Sequence, residues 1–224
     1  MRRVIFCLSI FLFCALAPFF HIARAAGPTE IYSTTISTPT TWTKENSPYI
    51  LHYKLTVKAK LTINPGTIIK FASQGTGIEM LAEISAIGSK KEKIVFTSIH
   101  DDSIGGNSDA GSERAPQRGD WDKINAHPDR AAKFENVVVS YASTGIMSQS
   151  TGSQYKNLEI KNSEIKNSNT GIDILNLSPI IERHFHETSG SLSGENDKSQ
   201  IQFFQRKFDG HIHQQHFRAQ ASDG

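Results

Sequence analysis

The run Leu61-Thr62-Ile63-Asn64-Pro65-Gly66-Thr67-Ile68-Ile69-Lys70-Phe71 sets two short β-branched segments on either side of a Pro-Gly corner. Similar short segments follow at Ile78-Glu79-Met80, Ile84-Ser85-Ala86-Ile87 and Ile94-Val95-Phe96-Thr97, and no convincing amphipathic helix interrupts them. Strands this short, broken regularly by Gly, Asn, Ser or Pro, describe a solenoid that winds one coil at a time. Leu55-Thr56-Val57 and Leu61-Thr62-Ile63 alternate apolar and polar residues, which turns one face to a core and the other to water. Val57, Ile63, Ile69 and Phe71 are therefore expected to point inwards. At the corner, Pro65 presets φ and Gly66 accepts a positive φ. Gly75, Gly77 and Gly88 mark further corners.

An internal repeat gives the coil its length. Asn136-Val137-Val138-Val139-Ser140-Tyr141-Ala142-Ser143-Thr144-Gly145-Ile146 aligns without a gap on Asn162-Ser163-Glu164-Ile165-Lys166-Asn167-Ser168-Asn169-Thr170-Gly171-Ile172. The Asn and the Thr-Gly-Ile triplet are identical, and Val139 matches Ile165 at a β-branched position. The step from Asn136 to Asn162 is a period in the twenties, which suits one three-strand turn of a parallel β-helix. Asn157, Asn162 and Asn167 recur at even steps through this region. Asparagine tolerates the left-handed conformation of tight corners and can bond to its equivalent in the next coil. A polar ligand-binding row is the functional alternative.

Outside the repeats, the chain divides into recognisable segments. Met1-Arg2-Arg3, the charge-free apolar run Val4–Phe20 and Ala23-Arg24-Ala25 have the order of a secretory signal peptide, placing cleavage after Ala25. An uncleaved anchor is the alternative, although the apolar run falls short of the ~20 residues that span a bilayer. Cys7 and Cys14 both lie in this leader, so the mature chain has no disulfide and relies on burial and backbone hydrogen bonds. The leader also removes Arg2, Arg3 and Arg24, leaving basic and acidic residues almost balanced and no case for a nucleic-acid partner. Residues 26–48 read as an extended lead-in whose Trp42 caps the first coil, with a flexible linker as the alternative. Coils are expected over 49–182. Residues 183–224 carry five of the nine histidines without strand or helix periodicity, and read as an irregular cap or as the tail of a truncated or frame-shifted chain.

The insertion at 100–119 is rich in Gly, Asp, Ser and Pro, and is expected to protrude from one corner while the coil resumes at Trp121 and Ile124. Asp101, Asp102, Asp109 and Asp120 are candidate calcium ligands, because calcium takes several oxygens at adaptable distances. Their spacing matches no EF-hand loop, and a solvated polar loop is the alternative. Glu79, Glu83, Asp120, Asp122, Glu159, Glu164 and Asp173 are outward carboxylates from which a glycosidase pair ~5–10 Å apart could be drawn. They are equally the ordinary solvated residues of a β-coil. His211-x-His213-x-x-His216 has alternating imidazoles that zinc accepts. No Gly-x-Ser-x-Gly elbow, phosphate-binding loop or dinucleotide fingerprint occurs.

Trp42, Ser47-Pro48-Tyr49, the 61–71 segment, Ile94-Val95-Phe96-Thr97-Ser98, Asp101-Asp102-Ser103-Ile104-Gly105-Gly106 and Gly119-Asp120-Trp121 together resemble bacterial secreted proteins with right-handed parallel β-helix repeats. The resemblance covers roughly residues 40–180. It implies an all-β, right-handed parallel β-helix of the superfold that also houses pectate lyases, followed by an irregular C-terminal tail. It further implies a secreted or cell-surface protein that acts as a structural or carbohydrate-binding module. Extracellular polysaccharide or cell-surface components would be its partners. A calcium-assisted polysaccharide lyase or glycoside hydrolase is the alternative, on fold analogy alone. Two departures from the family are an insertion poorer in acidic residues than its usual glycine-aspartate loop, and a tail that does not continue the repeat.

Overall fold

The computed structural model describes residues 27–149 and 158–175, together with the backbone of two further strands at Ile180–Glu182 and His216–Arg218. The leader 1–25, Asn157 and most of the tail 183–224 lie outside the described residues, as do the side chains of His211, His213 and His216.

Strands come in threes, one triplet per coil. The first coil is Thr29–Ile31 (β1), Thr35–Ile36 (β2) and Thr40–Trp42 (β3), followed by a 3-10 turn at Lys44–Asn46. The second is Tyr49–Leu51 (β4), Leu55–Val57 (β5) and Leu61–Ile63 (β6), and the third Ile68–Phe71 (β7), Ile78–Met80 (β8) and Ile84–Ile87 (β9). Ile94–Ser98 (β10), Trp121–Ala126 (β11) and Ala132–Glu135 (β12) form the fourth. The fifth is Val137–Ser140 (β13), Ala142–Gln149 (β14) and Leu158–Lys161 (β15); the sixth is Glu164–Lys166 (β16), Thr170–Leu175 (β17) and Ile180–Glu182 (β18). Each coil gives one strand to each of three sheets, ordered β1-β4-β7-β10-β13-β16 (sheet A), β2-β5-β8-β11-β14-β17 (sheet B) and β3-β6-β9-β12-β15-β18 (sheet C). All these pairings are parallel, so the fold is a parallel β-helix. One antiparallel pairing occurs among the described residues, where His216–Arg218 (β19) runs beside β17. The extended lead-in is itself a coil, with one short strand in each sheet.

Register explains the sequence pattern. Thr29, Tyr49, Ile69, Phe96, Val139 and Ile165 share one column of sheet A, although their spacing along the chain is uneven and widest from Phe96 to Val139. The internal repeat is thus one coil, with Val139 on Ile165, Thr144 on Thr170 and Ile146 on Ile172. Leu55, Ile78, Ile124, Ile146 and Ile172 form the inward column of sheet B, and Trp42, Ile63, Ala86, Phe134 and Ile160 that of sheet C. Every residue of these two columns is buried, as are the predicted inward residues Val57, Ile69 and Phe71. Each large aliphatic withdrawn from water contributes about 1.5–3 kcal/mol. Trp42 stacks on Tyr49 with ring centroids 4.8 Å apart, and Phe71 on Trp121 at 3.9 Å.

The corners follow backbone chemistry. Gly66 has φ +77°, and the Thr67 N–H donates to the Asn64 carbonyl at 3.3 Å, closing the expected turn. Asn136, Tyr141, Asn162 and Asn167 have φ between 48° and 65°, and the repeat pairs Asn136 with Asn162 and Tyr141 with Asn167. The bonding differs from an Asn-on-Asn ladder: Asn136 Nδ2 donates to the Gly88 carbonyl at 3.2 Å. Instead, serines that follow the asparagines join the coils. Ser163 Oγ accepts from the Val137 N–H, and Ser168 Oγ accepts from the Ala142 N–H, each at 3.1 Å. The glycine of the Thr-Gly-Ile triplet also has a reason. Lys123 pairs with Thr144 and Ile124 with Ile146, so Gly145 is the extra residue of a bulge.

A Cβ on Gly145 would lie 2.6 Å from the Gly171 carbonyl oxygen and 2.7 Å from Ile165 Cγ2. Gly145→Ala should therefore destabilise the chain by roughly 1–3 kcal/mol. The expected readout is a lower urea midpoint at unchanged slope; a wild-type midpoint would contradict the stacking of β14 on β17. Phe134→Ala, in the centre of the sheet C column, should cost about 3–5 kcal/mol in the same assay.

Candidate functional site

The insertion leaves the coil between sheets A and B, after β10, and returns at β11. It does not stand out into solvent as a loop of this composition suggests. It folds back over the outer face of sheet A. There Ile50, Lys70 and Thr97 share a register column, and Ile68, Val95 and Val138 share the next. All but Ile68, which is half-buried, are buried even though they point away from the helix interior. Gly105 sits against Ile68 and Lys70, where a Cβ would meet both side chains at 3.4 Å.

Lys70 organises this layer. Its side chain is fully buried, and Nζ donates to the Asp101 carbonyl at 3.0 Å and the Gly106 carbonyl at 2.5 Å. Burial pushes its ammonium below the ordinary lysine pKa, and the nearby carboxylates of Asp102, Asp101 and Asp109 oppose that shift. Asp101 Oδ2 accepts from Thr97 Oγ1 at 2.7 Å, its Oδ1 from Ser103, and Ser140 Oγ donates to Thr97 Oγ1 at 3.0 Å. Asp109 Oδ2 lies 2.6 Å from His100 Nδ1, while its Oδ1 is buried without a hydrogen-bond partner. Asp102 accepts from Asn107 Nδ2 at 3.1 Å.

Asp120 belongs to a separate group at the far end of the insertion. It accepts from Ser98 Oγ at 2.7 Å and the Gln117 N–H at 2.9 Å, and pairs with the Arg114 guanidinium. The four candidate calcium ligands are thus divided, three around Lys70 and one on Arg114. Among the described residues, no group of three His, Cys, Asp or Glu side chains is placed to hold a metal ion. The positive charge within the aspartate cluster comes from the chain itself, as Lys70.

The other outward carboxylates lie on strands or corners facing away from the core. Glu79 accepts from Asn125 Nδ2 at 2.8 Å and lies 3.3 Å from Lys54 Nζ. Glu83 pairs with Lys60 at 2.8 Å, Asp122 with Lys123 at 3.2 Å, and Glu164 with Lys166 at 3.3 Å and Lys93 at 3.6 Å. Glu159 bonds to Lys161 and lies 3.7 Å from Lys133; the Lys161 hydrogen bond holds its carboxyl below the usual range. Asp173 is half-buried on sheet B, in register with Met147. Beside Glu159, a hollow of about 90 Å³ is lined by Ile87, Lys133, Phe134, Glu135 and Lys161. That is well below the ~300–1,000 Å³ of small-molecule sites.

Lys70 escaped sequence reasoning because its alternation marks it only as outward. Nothing local shows that the outward face is covered. The remaining feature missed is aromatic: Tyr32 and His52 stack at the corner between sheets A and B. No protein-family profile, curated protein or solved structure matches the chain.

Replacing Lys70 by Met should free the insertion while keeping the coils. Limited proteolysis within 100–119 is expected to accelerate with the β-type circular dichroism retained; equal cleavage rates would show that Lys70 does not hold the loop. Lys70 also gives a signed pH effect. Its folded-state pKa lies below that of the unfolded chain, so between the two values the unfolded state carries the extra proton and stability rises with pH. The alkaline stability profile of wild type should therefore climb relative to that of Lys70→Met, and parallel profiles would refute the assignment.

Proposed function

We propose that this chain is an exported, non-catalytic β-helix module that binds extended polysaccharide or related cell-surface polymers along its outer faces. This is the role implied by its resemblance to bacterial secreted right-handed β-helix proteins. The observation that carries the reading is the condition of the outer carboxylates. Glu79, Glu83, Glu159 and Glu164 each have a lysine from another coil at 2.8–3.7 Å. General acid catalysis needs a carboxyl held protonated, in a pair that faces one bond. A lysine partner favours the charged form, the opposite direction, and at Glu159 the Lys161 hydrogen bond holds the carboxyl below its usual range.

The same arrangement suits binding without chemistry. Thr56, Glu79 and Asn125 form one outward column of sheet B, and Thr62, Ser85, Lys133 and Glu159 one of sheet C. Hydrogen-bonding groups recur there at ~4.8 Å steps, and a long hydroxylated polymer can meet several at once. Many weak contacts along one ligand add through effective concentration.

The test uses the full chain with pectin-like and neutral polysaccharides, with and without calcium. Retention on at least one polymer, with no new reducing ends or unsaturated products, is the expected result. Cleavage of any of them, or failure to be retained by all, overturns the proposal.

A further inference from the structure

Tyr32 and Tyr53 are the most exposed of the large apolar side chains among the described residues, at 61% and 55%. Both lie at the corner between sheets A and B, on the first two coils. β1 and β4 pair Ile31 with Leu51, so the next residues, Tyr32 and His52, stand one above the other. Their rings stack with centroids 4.3 Å apart and planes within 6°. His52 Nε2 is tied to Glu30 Oε2 at 2.5 Å, which fixes the imidazole and, through it, the tyrosine ring. With one face closed by His52, Tyr32 owes its exposure to the other face and the edge. Ordering the stack costs side-chain freedom that the cover of one face of Tyr32 offsets only in part. A rigid, open aromatic ring is what a ligand meets here.

From this corner we infer that Tyr32 and Tyr53 form a binding site for a neutral sugar ring of a polysaccharide, an assignment that rests on the polymer-binding reading above. The face of an aromatic ring is electron-rich and attracts the C–H edges that a pyranose presents on its flat side. Hydroxyl groups around the sugar find partners in the Glu30 carboxylate and the Lys54 ammonium, which is half exposed and 3.3 Å from Glu79. The two basic side chains placed at this corner already have carboxylate partners, His52 on Glu30 and Lys54 on Glu79. A uronate carboxylate would have to compete with Glu30 and Glu79 for them, whereas an uncharged glycan needs no cation. Past the tyrosines, the Thr56-Glu79-Asn125 column of sheet B continues along the stack of coils and extends the track.

The experiment measures depletion of the full chain by insoluble cellulose and xylan, and by polygalacturonate. It compares wild type with Tyr32→Ala/Tyr53→Ala, Tyr32→Phe and, as a control in the exposed turn after β9, Lys91→Ala. Wild type should bind a neutral glycan, and the double alanine variant should bind about tenfold more weakly at an unchanged melting temperature. Tyr32→Phe, which keeps the ring, and Lys91→Ala should bind like wild type. As a second readout within wild type, bound glycan should slow nitration of Tyr32 and Tyr53 by tetranitromethane. Undiminished binding by the double variant, or nitration unaffected by bound glycan, overturns the aromatic site while the polymer-binding reading stands. Preference for polygalacturonate overturns the ligand class. Retention by none of the polymers removes both.

Discussion

Every other feature of this molecule depends on one requirement: each coil must return to lie in register on the coil before it. Parallel strands bond only when successive coils present their amides and carbonyls one strand spacing apart, about 4.8 Å. The chain meets that condition with coils of very different length, short from Tyr49 to Ile69 and long from Phe96 to Val139. It does so because the extra residues are gathered at corners, apart from the single bulge residue Gly145 in β14. Register then aligns like with like. Ile124 lies on Ile146 and Ile146 on Ile172, and Phe134 is in register with Ile160. Where backbone curvature leaves an N–H without a strand partner, as at Val137 and Ala142, a serine hydroxyl of the next coil accepts it. The left-handed asparagines and the serines beside them are therefore one device, which turns the chain sharply while giving these buried donors a partner.

The insertion extends this logic to a second layer. An unpaired buried ammonium is costly, and Lys70 is tolerated because two main-chain carbonyls and the surrounding aspartates receive it. The acidic residues of the loop thus have a structural use that needs no added ion. Each layer depends on the other: without the lysine the aspartates would repel, and without the loop the lysine would have no reason to leave water. On sheets B and C, by contrast, the same residue types remain at the surface in ordinary ion pairs, each worth little to stability.

The coil, its length and its core were legible because they follow from local alternation and from a repeat visible as identical residues. Val57, Ile63, Ile69 and Phe71 point inwards as alternation requires, and the offset of the repeat is the pairing of β13 and β14 with β16 and β17. The first coil was harder to read, since very short strands rich in Thr and Ser carry no period. The docking of the insertion was not legible at all. It depends on contacts of Lys70 with Asp101 and Gly106, far along the chain, that no periodicity encodes. The Tyr32–His52 stack was hidden for a similar reason. Its partners belong to different coils and meet only once the register of β1 on β4 is known.

The reach of the insertion across coils has a mechanical consequence. Lys70 belongs to the third coil, Thr97 and Ser98 to the fourth, the Tyr141 carbonyl that accepts from Asp120 to the fifth, and the Ser168 carbonyl that accepts from Arg118 to the sixth. A solenoid held only by neighbour contacts gives way under load like a zip, one turn after another from whichever end is pulled. Here a single strap of chain is fastened to four successive turns. Tension applied along the stack can peel the first two turns separately, but must break the strap before the next four part.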